Sequence, residues 1–96
     1  MKVRFIVVID DATTEQQNSV TNYFKDTQAV GYWHWYSDVW LVTDPNQQFT
    51  PESLRLALDG ILPDSYKMVL KIQSGYDWSA FGDTESFKWM HETWPD

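Results

Sequence analysis

Apolar residues recur along the chain at spacings that predict short strands and helices in alternation. Residues 2–9 carry apolar side chains at both odd and even positions, which predicts a strand buried on both faces and therefore central in its sheet. From residue 13 to 28 the spacing becomes helical. Thr13 with Gln16, or Thr14 with Gln17, has the spacing of a capping box at a helix start.

Residues 32–43 read YWHWYSDVWLVT, two aromatic and β-branched runs around Ser37 and Asp38, and this composition predicts a β-hairpin. With a two-residue turn, the face expected to be the core carries Trp33, Trp35, Trp40 and Val42. The opposite face carries Tyr32, His34, Tyr36, Val39 and Leu41. Because Ser-Asp is not a preferred two-residue turn, a longer loop that shifts the register by one residue is the alternative, and it would exchange the faces.

A second helix is predicted to start at Thr50-Pro51-Glu52, where a hydroxyl N-cap precedes proline and an acid. Residues 66–72 alternate between apolar and mixed positions, which predicts a half-exposed fourth strand. An aromatic tail follows Gly75. Asp83 or Thr84 is expected to cap a helix there, with one stripe formed by Phe87, Met90, His91 and Trp94.

The predicted order of strand, helix, strand, strand, helix, strand is that of an α+β ferredoxin-like βαββαβ sandwich. We expect one domain over residues 1–96, with a core at 1–74 and a C-terminal packing tail at 75–96. Both helices should lie on one face of a four-stranded antiparallel sheet of order 4-1-3-2. The other face must be covered by the tail, by a second subunit or by a ligand, and Arg4, Lys67 and Lys71 are expected on it.

Composition and charge narrow the classes of partner. The chain has 96 residues, 14 acidic against 7 basic, and a net charge of −7, which argues against a surface that follows the phosphates of double-stranded nucleic acid but permits a basic partner. The absence of cysteine excludes disulfides and thiolate metal sites. The N-terminal apolar run of the chain is too short for a signal sequence or a membrane span, so a soluble, cytoplasmic protein is expected. No cofactor is expected.

Six tryptophans are more than so thin a sandwich readily buries. The excess predicts an oligomer interface or an aromatic site for a base, although aromatic residues also dominate ordinary cores. The residues expected to bind such a ligand are Tyr32, His34, Tyr36 and Trp78, together with the basic Arg4, Lys67 and Lys71. The aromatic cage would also include Trp40 and Trp94.

Candidate catalytic chemistry is sparse. Asp10 and Asp11 follow the first strand and offer two oxygen ligands for Mg²⁺, but acids before a helix also favour its positive end without binding metal. His34, between two tryptophans, is either a general base, a stacking group or a hairpin residue bonded to a cross-strand neighbour; His91 is expected to pack. We assign no catalytic residue, because no Ser-His-Asp spacing, glycine-rich phosphate loop or metal-binding histidine pair is present.

The runs VVIDD, WHWYSDVWLV, MVLKIQS, YDWSAFGD and FKWMHETW give the chain a resemblance to SinR-like small proteins. These share the ferredoxin-like fold of the small CRISPR-associated spacer-acquisition subunit. The resemblance implies this fold and a dimer. In that group an aspartate ending the first strand binds metal across a two-fold interface, and Asp10 stands at the matching position with Asp11 beside it. Unlike the members that handle nucleic acid, this chain is strongly acidic.

Three functions follow from these observations. The leading hypothesis is a non-enzymatic binding module, a dimer or larger oligomer, which captures a nucleotide-like ligand at an aromatic intersubunit pocket or blocks a basic protein with its acidic surface. Small acidic inhibitors of host defence encoded by phages provide an analogy. The alternative is a metal-dependent nuclease of the small CRISPR-subunit type that uses Asp10. A purely structural subunit is the third.

Overall fold

The strands and helices follow one another in the predicted order. The computed structural model describes residues 2–95, in which the elements are β1 (Val3–Ile9), α1 (Thr14–Asp26), β2 (Gly31–Tyr36), β3 (Val39–Asp44), α2 (Pro51–Ile61), β4 (Lys67–Ile72) and α3 (Thr84–Glu92). All strand pairs are antiparallel and the sheet order is β2-β3-β1-β4, which is the predicted order read from the other edge. The chain is therefore α+β with a four-stranded antiparallel sheet and three helices, an arrangement compatible with a ferredoxin-like fold.

Each helix begins at a side chain that satisfies the first free backbone amides. Of the two pairs with capping-box spacing, Thr13 and Gln16 form the box at the start of α1. Thr50 forms a second one with Ser53 and is followed by a proline in the first turn of α2. Asp83 accepts a hydrogen bond from the backbone N–H of the third residue beyond it and so caps α3. Each cap joins residues only three apart in the chain, which explains why the helix starts could be predicted from the sequence.

Two apolar clusters lie on opposite faces of the sheet. On one face, α1 and α2 cover the strands. The buried members of this first cluster are Phe5, Val7, Ile9, Val20, Phe24, Trp40, Val42, Leu54, Leu58 and Leu62. On the other face, α3 and the segment before it supply the cover. The second cluster consists of Leu41, Met90 and Trp94, with Ile6, Trp35, Ile72, Trp78 and Trp89 packed against it. Of the three covers expected for this face, the tail is thus the one that the structure shows.

The hairpin has the predicted two-residue turn but not the predicted faces. Tyr36 pairs with Val39, so Ser37 and Asp38 form the turn, and the register then shifts between His34 and Tyr36. This β-bulge makes Trp35 an extra residue on β2. An extra residue moves everything beyond it to the opposite face, which is the shift that we had assigned to a longer loop.

The predicted hairpin faces were therefore wrong for residues 32–35 of β2. Trp35, expected on the core face with Trp40, packs against the second cluster instead. Tyr32 lies opposite Val42 and His34 opposite Trp40, so both face α1 and α2. Trp33 lies opposite Leu41 and faces α3. The expected positions on β3 were right, since Trp40 and Val42 are core residues of the first cluster and Leu41 belongs to the second.

The expected positions of the basic residues also need correction. Lys71 lies opposite Phe5 and Lys67 opposite Ile9, which places both lysines on the face of α1 and α2. Arg4 does lie on the α3 face, but only 1% of it is exposed. It is buried because its Nε donates a 2.5 Å hydrogen bond to the carbonyl oxygen of Trp94.

Over residues 2–95, no helix combines the length and the apolar character that crossing a bilayer requires.

Candidate aromatic binding site

An apolar cavity of about 330 Å³ lies between the sheet and the C-terminal segment. Three aromatic side chains form much of its wall: Trp35 and Tyr36 at the end of β2, and Trp78 in the segment that precedes α3. The remaining lining residues are Ile6, Val39, Leu41, Ile72, Ser74, Asp77, Ser79, Ala80, Met90 and Trp94. The volume is at the lower end of the range found for small-molecule sites, which are also mostly apolar.

The β2 bulge provides two of these walls. Strict alternation would turn consecutive strand residues to opposite faces. At the bulge, Trp35 packs against the second cluster while Tyr36 pairs with Val39, and both line the cavity. Tyr36 stays 57% exposed, so its ring stands at the mouth. The bulge thus places two adjacent aromatic rings on one side of the sheet.

The third wall is held by α3. The Trp78 ring stacks on Phe87 at a centroid distance of 6.5 Å and contacts His91 at 5.3 Å. α3 is fixed to β2, because Trp33 Nε1 donates a 2.8 Å hydrogen bond to Ser86 Oγ and its ring stacks on Trp89. The predicted tail helix is confirmed, and it positions Trp78 without burying it fully.

Two basic side chains near the N-terminus anchor the end of the tail. Arg4 binds the Trp94 carbonyl, as described above, and Lys2 Nζ donates to the carbonyl oxygens of Thr93 and Pro95 at 2.5 and 2.6 Å. A charged donor roughly doubles the strength of a hydrogen bond to a backbone carbonyl. The anchor ties the far wall of the cavity to β1.

The cavity carries no positive charge from its own walls. None of its lining residues is Lys or Arg, and the one ionisable carboxyl among them is Asp77. A phosphate group placed here would meet a carboxylate and no cation. An uncharged or cationic aromatic group would meet apolar surface and ring faces instead, which suits it better.

The sequence-predicted ligand residues are not brought together as one site. Tyr36 and Trp78 meet in the cavity, as does Trp94 of the predicted cage. Tyr32 instead stacks on Phe24 at 6.4 Å on the opposite face of the sheet.

His34 lies parallel to the ring of Trp40, at 4.2 Å between centroids and 2° between planes, and its Nε2 is 3.0 Å from the Ser37 carbonyl. The stacking partner Trp40 is a cross-strand neighbour, as one alternative for a hairpin histidine expected, whereas the hydrogen-bond partner Ser37 belongs to the turn. These contacts give His34 partners within its own hairpin and no place in the cavity.

The two lysines predicted to bind ligand are also elsewhere. Lys67 Nζ lies 2.7 Å from Asp59 Oδ1 and 2.8 Å from the Ser65 carbonyl, and only 4% of its side chain is exposed. The hydrogen bond from Lys67 holds the pKa of the Asp59 carboxyl below its ordinary value of 3.8. Lys71 is exposed on the same face as Lys67.

Asp10 and Asp11 line a separate polar depression of about 340 Å³ with Gln16, Asp64, Ser65 and Tyr66. Asp10 follows β1, and its backbone N–H donates to the Tyr66 carbonyl at 2.9 Å. Among residues 2–95, however, no three His, Cys, Asp or Glu side chains are grouped so that they would hold a metal ion. Any metal at Asp10 would need further ligands from another molecule.

Several cavity residues were missed at the level of the sequence. Ile6, Leu41, Ile72 and Met90 look like ordinary core residues, and only the path of the tail across the sheet turns them into the cavity lining. Their pattern carries no distinguishing mark. Comparison of the chain with protein-family models, with curated proteins and with solved structures gave no match.

Proposed function

We propose that the chain is a non-enzymatic binding module that holds the planar, apolar part of a small ligand between Trp35, Tyr36 and Trp78. The supporting observation is the cavity of about 330 Å³ that these three rings enclose against the sheet. Stacking on an aromatic side chain stabilises a bound base by roughly 1 to 3 kcal/mol. Ser74 and Asp77, at the same wall, offer acceptors that would orient the polar edge of such a ring.

The lack of positive charge in the cavity lining narrows the class of nucleotide-like ligand that is expected from the sequence. The base and sugar of a nucleoside are uncharged and suit an apolar cavity with a few polar groups. A phosphate would have to lie outside, in solvent, because burying it without a cation costs more than the stacking contributes. Even there it would be repelled by Asp77 and by the net charge of −7, so we infer that a nucleoside binds better than the corresponding nucleotide.

A titration of the purified chain with adenosine and with AMP tests this, with tryptophan fluorescence and calorimetry as readouts. Adenosine is expected to bind at least about tenfold more tightly than AMP, a difference of ~1.4 kcal/mol. Trp78→Ala should weaken adenosine binding by roughly tenfold or more, since it removes one stacking face. Phe81→Ala is the matched control, because Phe81 lies in the same segment, is 89% exposed and does not line the cavity.

Three results would count against the proposal. Tighter binding of AMP than of adenosine would mean that a cationic site, and not this cavity, recognises the ligand. Equal effects of Trp78→Ala and Phe81→Ala would remove the cavity as the site. If adenosine does not bind the unaltered chain at millimolar concentration, nucleoside ligands are excluded.

The expected intersubunit pocket and the predicted dimer are separate from this cavity. The cavity described above is formed within one copy of the chain, since the chain's own tail supplies its far wall. A two-fold dimer and a role as a phage-type inhibitor of host defence stay predictions from the sequence. Sedimentation equilibrium across the micromolar range tests the first directly.

The alternative of a metal-dependent nuclease at Asp10 is less well supported by the geometry. Asp10, Asp11 and Asp64 share a depression, but the described residues of one copy do not group three ligands for a metal. Mg²⁺-dependent cleavage of RNA or DNA that is lost in Asp10→Asn would reverse this ranking.

A further inference from the structure

Part of the α3 face of the sheet, along β4, leaves apolar side chains exposed. α3 makes its main sheet contact with β2, at one edge, and the second cluster covers Ile6 and Ile72, whereas the residues before Ile72 on β4 include exposed apolar side chains. Met68 is 57% exposed, Leu70 44% and Tyr66 82%. Val8 lies opposite Met68 on the neighbouring strand and is half-buried. We call these four residues the β4 strip.

A depression of about 180 Å³ in this strip is large enough to receive an apolar side chain. It is lined by Val8, Asp10, Tyr66, Lys67 and Met68. The Lys67 ammonium is already paired with Asp59 on the other side of the strand, so it adds no accessible positive charge here. The charge that a partner would meet at this depression is therefore that of Asp10.

The strip continues into the acidic depression beside it. Asp10 and Tyr66 line both depressions, and the second one adds Asp11 and Asp64. An apolar surface with carboxylates at one end matches a partner that has apolar side chains beside lysines or arginines. Complementary charge at the rim of an interface favours encounter and fixes the orientation of the partner.

We infer that the β4 strip docks an amphipathic basic helix of a protein partner. Its apolar stripe would pack on Met68 and Leu70, as α1 and α2 pack on the opposite face, and its cations would face Asp10 and Asp64. A second copy of this chain is a poorer occupant, because it would bring a further net charge of −7 and the same acidic end. Since Met68, Leu70 and Tyr66 do not line the aromatic cavity, this inference is independent of the proposed ligand site.

The probe is a fluorescent 14-residue peptide of Lys and Leu at helical spacing, compared with a Glu and Leu peptide of the same pattern and with a scrambled Lys and Leu sequence. Anisotropy titrations should show that the patterned basic peptide binds the strongest. Leu70→Ser should weaken its binding about tenfold, the loss typical of an interface anchor. Leu56→Ser is the matched control, because Leu56 is a similarly exposed leucine, 53%, on α2.

The charge contribution is tested with two paired variants of equal net charge. Asp10→Asn with Asp64→Asn should weaken basic-peptide binding by roughly threefold to tenfold, because it removes two rim partners. Asp26→Asn with Glu52→Gln changes two exposed acids elsewhere and should leave binding unchanged. This contrast separates docking at the strip from general attraction to an acidic protein.

Three outcomes would overturn the inference. Equal losses in the two charge variants would mean nonspecific attraction, and equal losses in the two leucine variants would mean that the strip is not the docking surface. A dimer of the chain alone that dissociates in Leu70→Ser would assign the strip to a second copy. Retained adenosine binding in Leu70→Ser would show that the cavity is intact whichever of these results is found.

Discussion

Arg4 is predicted to hold the C-terminal segment, and with it the aromatic cavity, against the sheet. The substitution Arg4→Met keeps an unbranched apolar stem in the space of the arginine but removes the charged donor. Arg4 is 1% exposed, donates to the Trp94 carbonyl at 2.5 Å and lies 3.4 Å from the Gln73 carbonyl. The variant therefore leaves at least the Trp94 carbonyl without this charged donor at a buried position.

The expected cost follows from the two parts of this change. A hydrogen bond to a charged group contributes about 1.5 to 3 kcal/mol, and an acceptor left unpaired in the interior costs about 1 to 3 kcal/mol. Both figures include part of the same loss, so they are not added in full. We expect the free energy of unfolding to fall by about 2 to 4 kcal/mol. This is a large share of the ~5 to 15 kcal/mol that stabilises a domain of ordinary size.

The loss of stability should affect mainly the α3 face of the sheet. All tryptophans other than Trp40 lie on the α3 side, so their fluorescence reports on the tail, whereas the first cluster keeps its own contacts. In Arg4→Met we expect red-shifted emission and weaker adenosine binding before far-ultraviolet circular dichroism is lost on denaturation. Arg55→Met is the matched control, because the Arg55 side chain is 41% exposed in a surface ion pair and should contribute less than about 1 kcal/mol. A loss in Arg4→Met no greater than in Arg55→Met would refute this account of the anchor.

Three further substitutions, one of them paired with a control, test the fold. Trp40→Ala removes the largest fully buried side chain of the first cluster and should cost ~3 to 5 kcal/mol in denaturant unfolding, enough to unfold a marginal domain. Asp59→Asn should lower the melting temperature at neutral pH and flatten the acid side of the stability profile. The pKa of Asp59 is lowered by Lys67, so its contribution is present above pH 3.8 and is lost as the pH falls below it. Gly75→Ala should destabilise the tail, since its Cβ would come within 2.8 Å of backbone atoms, whereas Gly60→Ala, with open space around it, should melt no lower than the unaltered chain.

Element order and helix starts were predictable because they depend on neighbours in the chain. The capping box at Thr13 and the proline after Thr50 act over three or four residues, so the sequence displays them directly. The sheet order followed from the order of elements and the usual handedness of crossovers. Its agreement with the structure shows that these local rules were enough for the architecture.

The position of the basic residues was not predictable in the same way. The alternation in β4 separated the two lysines correctly from Met68 and Leu70, but it did not say which set faces the helices. The lysines face them because Lys67 finds Asp59 on α2, and such a pair forms only once the helix is docked. The position of a buried or half-buried cation depends on a partner that is distant in the sequence. Arg4 is a second example, because its partner, the Trp94 carbonyl, lies near the other end of the chain.

The candidate site depends on one residue that alternation treats as ordinary. Without a bulge, Trp35 and Tyr36 would face opposite sides of the sheet, and the cavity would lose one aromatic wall to the first cluster. The sequence contained one indication that the register could shift, since Ser-Asp is a poor two-residue turn for a regular hairpin, but that indication favoured a longer loop and not a bulge. The bulge shifts the register instead, so the turn keeps two residues while Trp35 joins Tyr36 on the α3 side. The bulge leaves the strand assignment unchanged, so the fold can still be predicted from periodicity. The site cannot, because it depends on the residue at which the alternation is interrupted.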